Sequence, residues 1–274
     1  QRAPMTVRAN LLQGDRTTLA KDLGIATTPG AWSDTALIVE GRTNLWSLDA
    51  FKRGAMEAQD EGSQLLADLA TANLTSEKPL VIDLCAGAGG KTLAIAARLG
   101  NRGRIIATDV DAKKLEELRR RARRAGVSNA QALHLEGGQW PDALAAQHGK
   151  ADVVFVDAPC SGIGALRRNP EARWRLREAD LATFATRQRE ILAGAARLLA
   201  PGGRLVYGTC TLLSVENRDV VEATRLARPE LVDVPLAEIV GERARTLGVD
   251  ELSFTVAPDT HGTDGFFARV LRRA

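Results

Sequence analysis

Two rhythms of apolar residues alternate along this chain. Short, mostly apolar runs at 80–84, 104–108, 131–135, 152–156 and 204–207 predict strands buried on both faces. Between them, apolar positions recur every three or four residues over 91–99, 112–125, 178–199 and 215–227, which predicts helices with one buried face. Leu65, Leu66 and Leu69 follow the same spacing and predict a helix over 61–74 that leads into the alternation. Strand and helix in turn at this length imply an α/β fold, a mostly parallel sheet covered by helices on both faces. Two late strand-like segments, 251–256 and 266–271, have no helix between them and predict an antiparallel pair at one edge. Residues 1–55 depart from the rhythm. A strand-like 5–9, a helical 16–23, a Thr27-Thr28-Pro29-Gly30 turn and a strand-like 36–40 predict a small α+β domain, leaving 56–274 as the main one.

Bulk properties narrow the partner more than the fold. The 274 residues, 45 % hydrophobic and 26 % charged, are those of an ordinary globular protein large enough to bury a core without staples. Net charge is only +3, yet the cations are bunched: Lys113, Lys114, Arg119, Arg120, Arg121, Arg123 and Arg124 on one helix, then Arg167, Arg168, Arg173, Arg175 and Arg177 around Trp174. The first cluster reads most simply as a solvated helix face. The second combines phosphate partners with a stacking surface and is the better candidate for nucleic acid. Cys85, Cys160 and Cys210 are odd in number and form no CxxC pair, so neither a disulfide framework nor a metal site is expected and the reducing cytoplasm is the natural setting. No apolar run approaches the roughly 18 to 20 residues of a membrane span, and no signal-peptide pattern opens the chain. Because it begins at Gln1, a fragment or processed form is expected; separately, the protein is expected to act as a monomer.

Candidate chemistry collects where strands end. After the run at 80–84 come Cys85, Ala86, Gly87, Ala88, Gly89, Gly90 and Lys91, a glycine turn opening a helix, where backbone amides can approach a ligand. A Walker A loop fails because Cys85 stands where its first glycine belongs, and a dinucleotide fingerprint fails at Thr92. S-adenosyl-L-methionine remains, with Asp109 at the end of the next strand to hold the ribose hydroxyls; the plainer alternative is a strand-to-helix turn with Asp109 as a helix cap. After 152–156 comes Asp157-Ala158-Pro159-Cys160-Ser161-Gly162, a carboxylate, a stiffened turn and a thiol, which makes Cys160 a candidate nucleophile. A second thiol, Cys210, follows the run at 204–207, and neighbouring strands in such a sheet would bring both to one rim. Any single cysteine is most often a small buried hydrophobe; three at three strand ends are harder to dismiss.

With these motifs together, the sequence resembles the RNA (cytosine-5) methyltransferases of the bacterial Sun/RsmB and eukaryotic NSUN type. The likeness rests on Gln59 to Gln64, the loop from Asp83 to Thr92, Asp157 to Gly162 with Leu166-Arg167-Arg168-Asn169-Pro170, Tyr207 to Thr211 with Glu216-Asn217, and Asp264-Gly265-Phe266-Phe267. It implies a Rossmann-like class I S-adenosylmethionine-dependent methyltransferase fold, with an RRM-like appendage at 1–55 as a candidate for RNA contact. It further implies that Cys210 attacks carbon 6 of cytosine, making carbon 5 an enamine carbon able to take a methyl group. Asp157 would hold and protonate the N3 edge, and Cys160 would assist release once the carbon 5 proton is lost. Lys91 would place positive charge near cofactor or base, unless it is a solvated first-turn residue. Four positions depart from the family pattern: Gly87-Ala88 stand for Ala-Pro, Gly208 for Ser, and Glu136 for the aspartate that contacts the cofactor after the third strand. The helical RNA-binding domain that often precedes this core in the bacterial enzymes is not recognised in residues 1–55, so RNA targeting is expected to rest on those residues or on sequence upstream of Gln1. Ribosomal RNA of the small subunit is the first expectation for substrate and transfer RNA the second, in a loop or unwound strand from which the base can be extruded. A catalytically silent relative that binds RNA and cofactor, and a DNA cytosine methyltransferase with the two thiol roles exchanged, are the alternatives.

Overall fold

The computed structural model describes residues 2–274. The N-terminal part is a four-stranded antiparallel sheet ordered β2-β3-β1-β4, from β1 (Met5–Ala9), β2 (Thr27–Pro29), β3 (Ala36–Val39) and β4 (Met56–Ala58). The helix Arg16–Leu23, capped by Asp15 and ended at Gly24, closes one side with Leu19 and Leu23. β4 falls just past the boundary expected at 55, because the strand that completes this sheet is too short to show a rhythm of its own.

The main sheet is ordered β10-β12-β9-β8-β5-β6-β7, with β11 paired only to β12. Its strands are β5 (Leu80–Asp83), β6 (Arg104–Asp109), β7 (Ala130–His134), β8 (Ala151–Asp157), β9 (Leu199–Thr209), β10 (Leu231–Asp233), β11 (Ser253–Val256) and β12 (Phe266–Arg273). β5 to β9 pair in parallel, and β10 and β11 join antiparallel to β12, which itself runs antiparallel to β9. Successive side chains of a strand point to opposite faces. Val153 and Phe155 of β8 accordingly join Leu66, Leu69 and Ile95 on one side, and Val154 and Val156 join Leu192, Ala195 and Val220 on the other. Helices Glu61–Thr71, Gly90–Arg98 and Ala112–Ala125 therefore cover one face, and Glu178–Leu198 and Arg218–Ala227 the opposite one.

Two differences from the sequence expectation have local causes. β9 starts at Leu199 rather than near 204: Leu199 pairs with Ala151, the register shifts, and Arg204 pairs with Val153. The Pro201-Gly202-Gly203 segment, which lies between the helix expected over 178–199 and the strand expected at 204–207, is a bulge within the strand. The antiparallel edge contains a third strand, β10, whose three residues are too few to signal.

Polar contacts dock the small sheet onto the main domain. Glu57 of β4 pairs with Arg121, at 3.0 Å, and with Arg124. Asn10 donates to the carbonyls of Gly54 and Ala125, both at 2.8 Å. At Gly54 a Cβ would lie 2.1 Å from the Arg124 carbonyl oxygen, so only glycine permits this approach. Among the described residues no helix is long and apolar enough to cross a membrane, and no group of three or more His, Cys, Asp or Glu is placed to hold a metal ion.

Candidate active site

The chain runs from β5 out through β6 to β7, then returns to β8 on the other side of β5. This reversal opens a crevice at the carboxyl ends of β5 and β8, the place where open α/β sheets bind ligands. The cleft there has a volume of about 1170 Å³. A smaller groove, about 800 Å³, lies at the opposite ends of β5 and β6 and contains no thiol.

On the β5 side the cleft is lined by Cys85, Ala86, Gly87, Ala88, Gly90 and Lys91. Gly87 and Gly89 have φ of +54° and +85°, the left-handed region that favours glycine, and a Cβ on Gly89 would meet Leu118 at 2.6 Å. Asp109 secures this turn: its Oδ2 accepts from the Gly87 amide at 2.8 Å and its Oδ1 from Asp111 at 2.9 Å. The following helix is capped by Asp111 rather than Asp109. Arg121 donates to the carbonyl of Ala88 at 2.8 Å, linking the turn to the Glu57 ion pairs. Burial pushes the Cys85 thiol up, which makes it an inert wall rather than a nucleophile. Asp83, fully buried below the loop, accepts from Thr92 through Oδ2 at 2.7 Å while Oδ1 has no hydrogen-bond partner among the described residues, and burial raises its pKa to about 7.

On the other side, β8 and β9 are paired neighbours, and their ends bring the thiols of Cys160 and Cys210 to 3.4 Å. The hydrogen bond between the sulfurs treats them oppositely. It lowers the Cys210 pKa, with further help from the Lys91 charge, and together with burial it raises that of Cys160. The favoured charged form is thus a Cys210 thiolate accepting from a Cys160 thiol. Lys91 is not a solvated first-turn residue. Its ammonium lies 2.6 Å from Asp157 and 5.7 Å from the centre of the Phe266 ring; burial alone would lower its pKa, but Asp157 outweighs that and raises it. Backbone contact beneath the thiols is close: Gly164 donates to the Cys210 carbonyl at 2.9 Å, and a Cβ there would lie 2.1 Å from the Gly265 carbonyl oxygen.

Comparison with known proteins identifies the family. The family described as 16S rRNA methyltransferase RsmB/F matches residues 70–272. A ribosomal RNA small subunit methyltransferase B from Vibrio cholerae is 33 % identical over 99 % of this chain and 59 % of its own length. A methyltransferase F from Citrobacter koseri is likewise 33 % identical, over 98 % of this chain and 57 % of its own. The crystal structure of a methyltransferase homolog from Pyrococcus horikoshii superposes with a TM-score of 0.81 at 25 % identity, covering all of this chain and 88 % of that one. The chain belongs to the RsmB/F family. It spans a little under three fifths of the length of these two curated relatives.

The rest of the RsmB/F cleft includes residues that motif reading overlooks. Helix Glu178–Leu198 contributes Arg187, Glu190, Ile191 and Gly194, and Trp140 stands against it, 2.7 Å from where a Gly194 Cβ would be. Their i, i+3, i+4, i+7 spacing was the available signal, but it marks only a helix face. Glu136 is exposed and does not line the cleft, whereas Leu135, Gly138 and Trp140 do: Glu136 opens a tight 3₁₀ turn that carries it outward. At Gly208 a serine Cβ would press on Leu66 at 3.0 Å, a local reason for the smaller residue.

The two basic clusters are not uniform either. Arg121 and Arg124 are committed to Glu57, so the 113–124 helix is only partly a solvated face. Arg167 and Arg168 are committed to Asp264 and Asp60. Arg173, Trp174, Arg175 and Arg177 remain exposed, with the Arg173 guanidinium 4.7 Å from the Trp174 ring centre.

Proposed function

We propose that this chain carries the catalytic centre of an RNA (cytosine-5) methyltransferase acting through a covalent cysteine–cytosine adduct. The observation that carries this reading is the pair of thiols 3.4 Å apart, with opposite pKa shifts, beside the Lys91–Asp157 pair. Small-subunit ribosomal RNA is the substrate first in line, since the two curated relatives are named for it; transfer RNA comes second.

The cleft fits S-adenosyl-L-methionine. The Ala88 and Gly90 amides and Asp109 would hold the polar parts and the ribose, the unpartnered Asp83 oxygen suits an ammonium group, and Leu135, Trp140 and Ile191 form an apolar wall for a purine. When bound, it supplies a methyl group on positive sulfur, which carbon 5 of the activated ring takes up.

The protein residues prepare and undo that activation. The Cys210 thiolate adds to carbon 6; the C5=C6 pair shifts to C4–C5 and the C4=N3 pair to N3. Asp157 would hold N3 and pass to it the proton that Cys210 gives up on forming its thiolate, with the Lys91 ammonium 2.6 Å behind it to compensate charge as it develops. After methylation the N3 proton returns to Asp157 and a water molecule takes the carbon 5 proton. That C–H pair restores C5=C6, and the C6–Sγ pair leaves with Cys210. The Cys160 thiol, 3.4 Å from that sulfur, would donate its S–H to it as it departs. Flanking RNA would lie on Arg173, Trp174 and Arg175, by phosphate pairing and base stacking.

The test is to incubate the wild type, Cys210→Ala and Cys160→Ala with labelled methyl donor and total RNA and to resolve the products under denaturing conditions. Labelled RNA is expected from the wild type and a persistent protein–RNA adduct from Cys160→Ala, with neither from Cys210→Ala. Methylation by Cys210→Ala, with no adduct from Cys160→Ala, would refute the assignment, and label in DNA instead of RNA would refute the substrate class.

A further inference from the structure

We propose that the adjacent residues Glu216 and Asn217 are separate positioning residues for the two thiols, Glu216 for Cys160 and hence release, Asn217 for Cys210 and hence attack. The inference rests on the thiol roles given above.

Glu216 ends the 3₁₀ turn Ser214–Glu216 and is fully buried, yet among the described residues it has no cationic partner within ion-pair distance. Its Oε1 accepts from the Ser161 amide at 2.8 Å and from Gln188 Nε2 at 3.1 Å, and its Oε2 accepts from the Ser161 hydroxyl. Gln188, itself fully buried, also donates to the Pro159 carbonyl at 2.9 Å. The residues immediately before and after Cys160 are thus both held from one buried carboxylate and its amide partner. Burying a carboxylate among neutral donors is costly, and a core that needed only stability would use an apolar side chain.

Asn217 brackets the other thiol in the same way. Its Oδ1 accepts from Thr209 Oγ1 at 2.5 Å and its Nδ2 donates to the Thr211 carbonyl at 2.9 Å, one residue to each side of Cys210. One side-chain bond joins the two brackets, Ser161 Oγ to Thr211 Oγ1 at 3.1 Å. Two neighbouring side chains in one turn therefore set the thiol separation from opposite sides.

Loosening only the Cys160 side leaves Cys210 able to add to carbon 6 but withdraws the S–H that its sulfur needs when it departs. Glu216→Gln and Gln188→Leu should therefore retain binding of the cofactor analogue sinefungin, lose about 10- to 100-fold in turnover, and accumulate the protein–RNA adduct as Cys160→Ala does. Asn217→Ala should lose turnover without forming adduct. A purely structural role would lower turnover, adduct and analogue binding together.

The experiment compares these variants with the wild type and Cys160→Ala, scoring adduct on denaturing gels, steady-state methylation and sinefungin affinity. Should Glu216→Gln fail to bind sinefungin, Gln188→Leu, which leaves the carboxylate in place, decides the outcome. If Cys160→Ala forms adduct while Glu216→Gln and Gln188→Leu do not, or if both retain wild-type turnover, the positioning role is overturned and the reading of the thiols survives. If Cys160→Ala itself forms none, the reading of Cys160 falls first. Adduct accumulation in Asn217→Ala would overturn the division between the two residues.

Discussion

Replacing Glu57 by alanine should cost far more than the loss of a surface ion pair. Glu57 is 3 % exposed and faces three guanidinium groups: Arg121 at 3.0 Å, Arg124, and Arg8, which is paired opposite it across the β1–β4 ladder. Arg8 shows how unwelcome those charges are without it, since burial lowers its pKa to about 10 even with Glu57 present to oppose the shift. Removing one partner of a buried ion pair typically costs about 3–5 kcal/mol, because the desolvated charge left behind has no compensation. Glu57→Ala should therefore lower stability by about that amount, read as the shift in urea midpoint multiplied by the denaturant slope. Arg53→Ala provides the comparison: it breaks the Arg53–Asp22 pair, whose side chains are 47 % and 43 % exposed, and should cost at most about 1 kcal/mol. Because Arg121 also donates to Ala88 in the glycine turn, Glu57→Ala should weaken sinefungin binding, whereas Arg53→Ala should not. A Glu57→Ala loss no larger than that of Arg53→Ala would refute the idea that this carboxylate holds the small sheet to the main domain.

Two further outcomes follow from the cleft. A thiolate nucleophile makes adduct formation rise with pH through the Cys210 pKa, and the Cys160 hydrogen bond lowers that pKa, so in Cys160→Ala the rising limb of single-turnover adduct formation should move to higher pH; an unmoved limb would show that the sulfur contact does not tune Cys210. On the exposed basic segment, Arg173→Gln and Arg175→Gln should each reduce the salt dependence of RNA affinity by about 0.7 in logarithmic slope, and Trp174→Ala should weaken binding by about 1–3 kcal/mol, both measured by fluorescence anisotropy; unchanged slopes would place the RNA elsewhere.

The central sheet was legible because its strands are buried on both faces, so 80–84 and 152–156 stand out as apolar runs without any need for context. Their ends could then be read for chemistry, and the adjacency of β8 and β9 was sufficient to put Cys160 and Cys210 together. Less legible were elements that owe their existence to a partner: β4 and β10 are three residues each and are strands only because β1 and β12 supply the hydrogen bonds. The Pro201–Gly203 bulge was hidden for a similar reason, since residues that end a strand in isolation are accommodated when a neighbour carries the ladder past them.

Charge was the hardest property to interpret, and the second basic cluster shows why. Arg167 and Arg168 look like Arg173 and Arg175 in the sequence, separated by a few residues and equally suited to phosphate. Their surroundings differ entirely, because Asp264 lies 97 positions after Arg167 and Asp60 lies 108 positions before Arg168, and the fold brings both carboxylates to the first pair. Those two arginines join the β4–helix connection to the β12 approach and so hold the Cys160 loop from behind, while Arg173 stays exposed beside Trp174 and Arg175 pairs only with the exposed Glu171 one helical turn away, at 3.1 Å. An arginine becomes a ligand for RNA only if no carboxylate from elsewhere in the chain reaches it first. That condition is one of tertiary structure, which is why Asp264, near the end of the chain, belongs to the same polar cluster as Asp60 and the arginines beside the Cys160 loop.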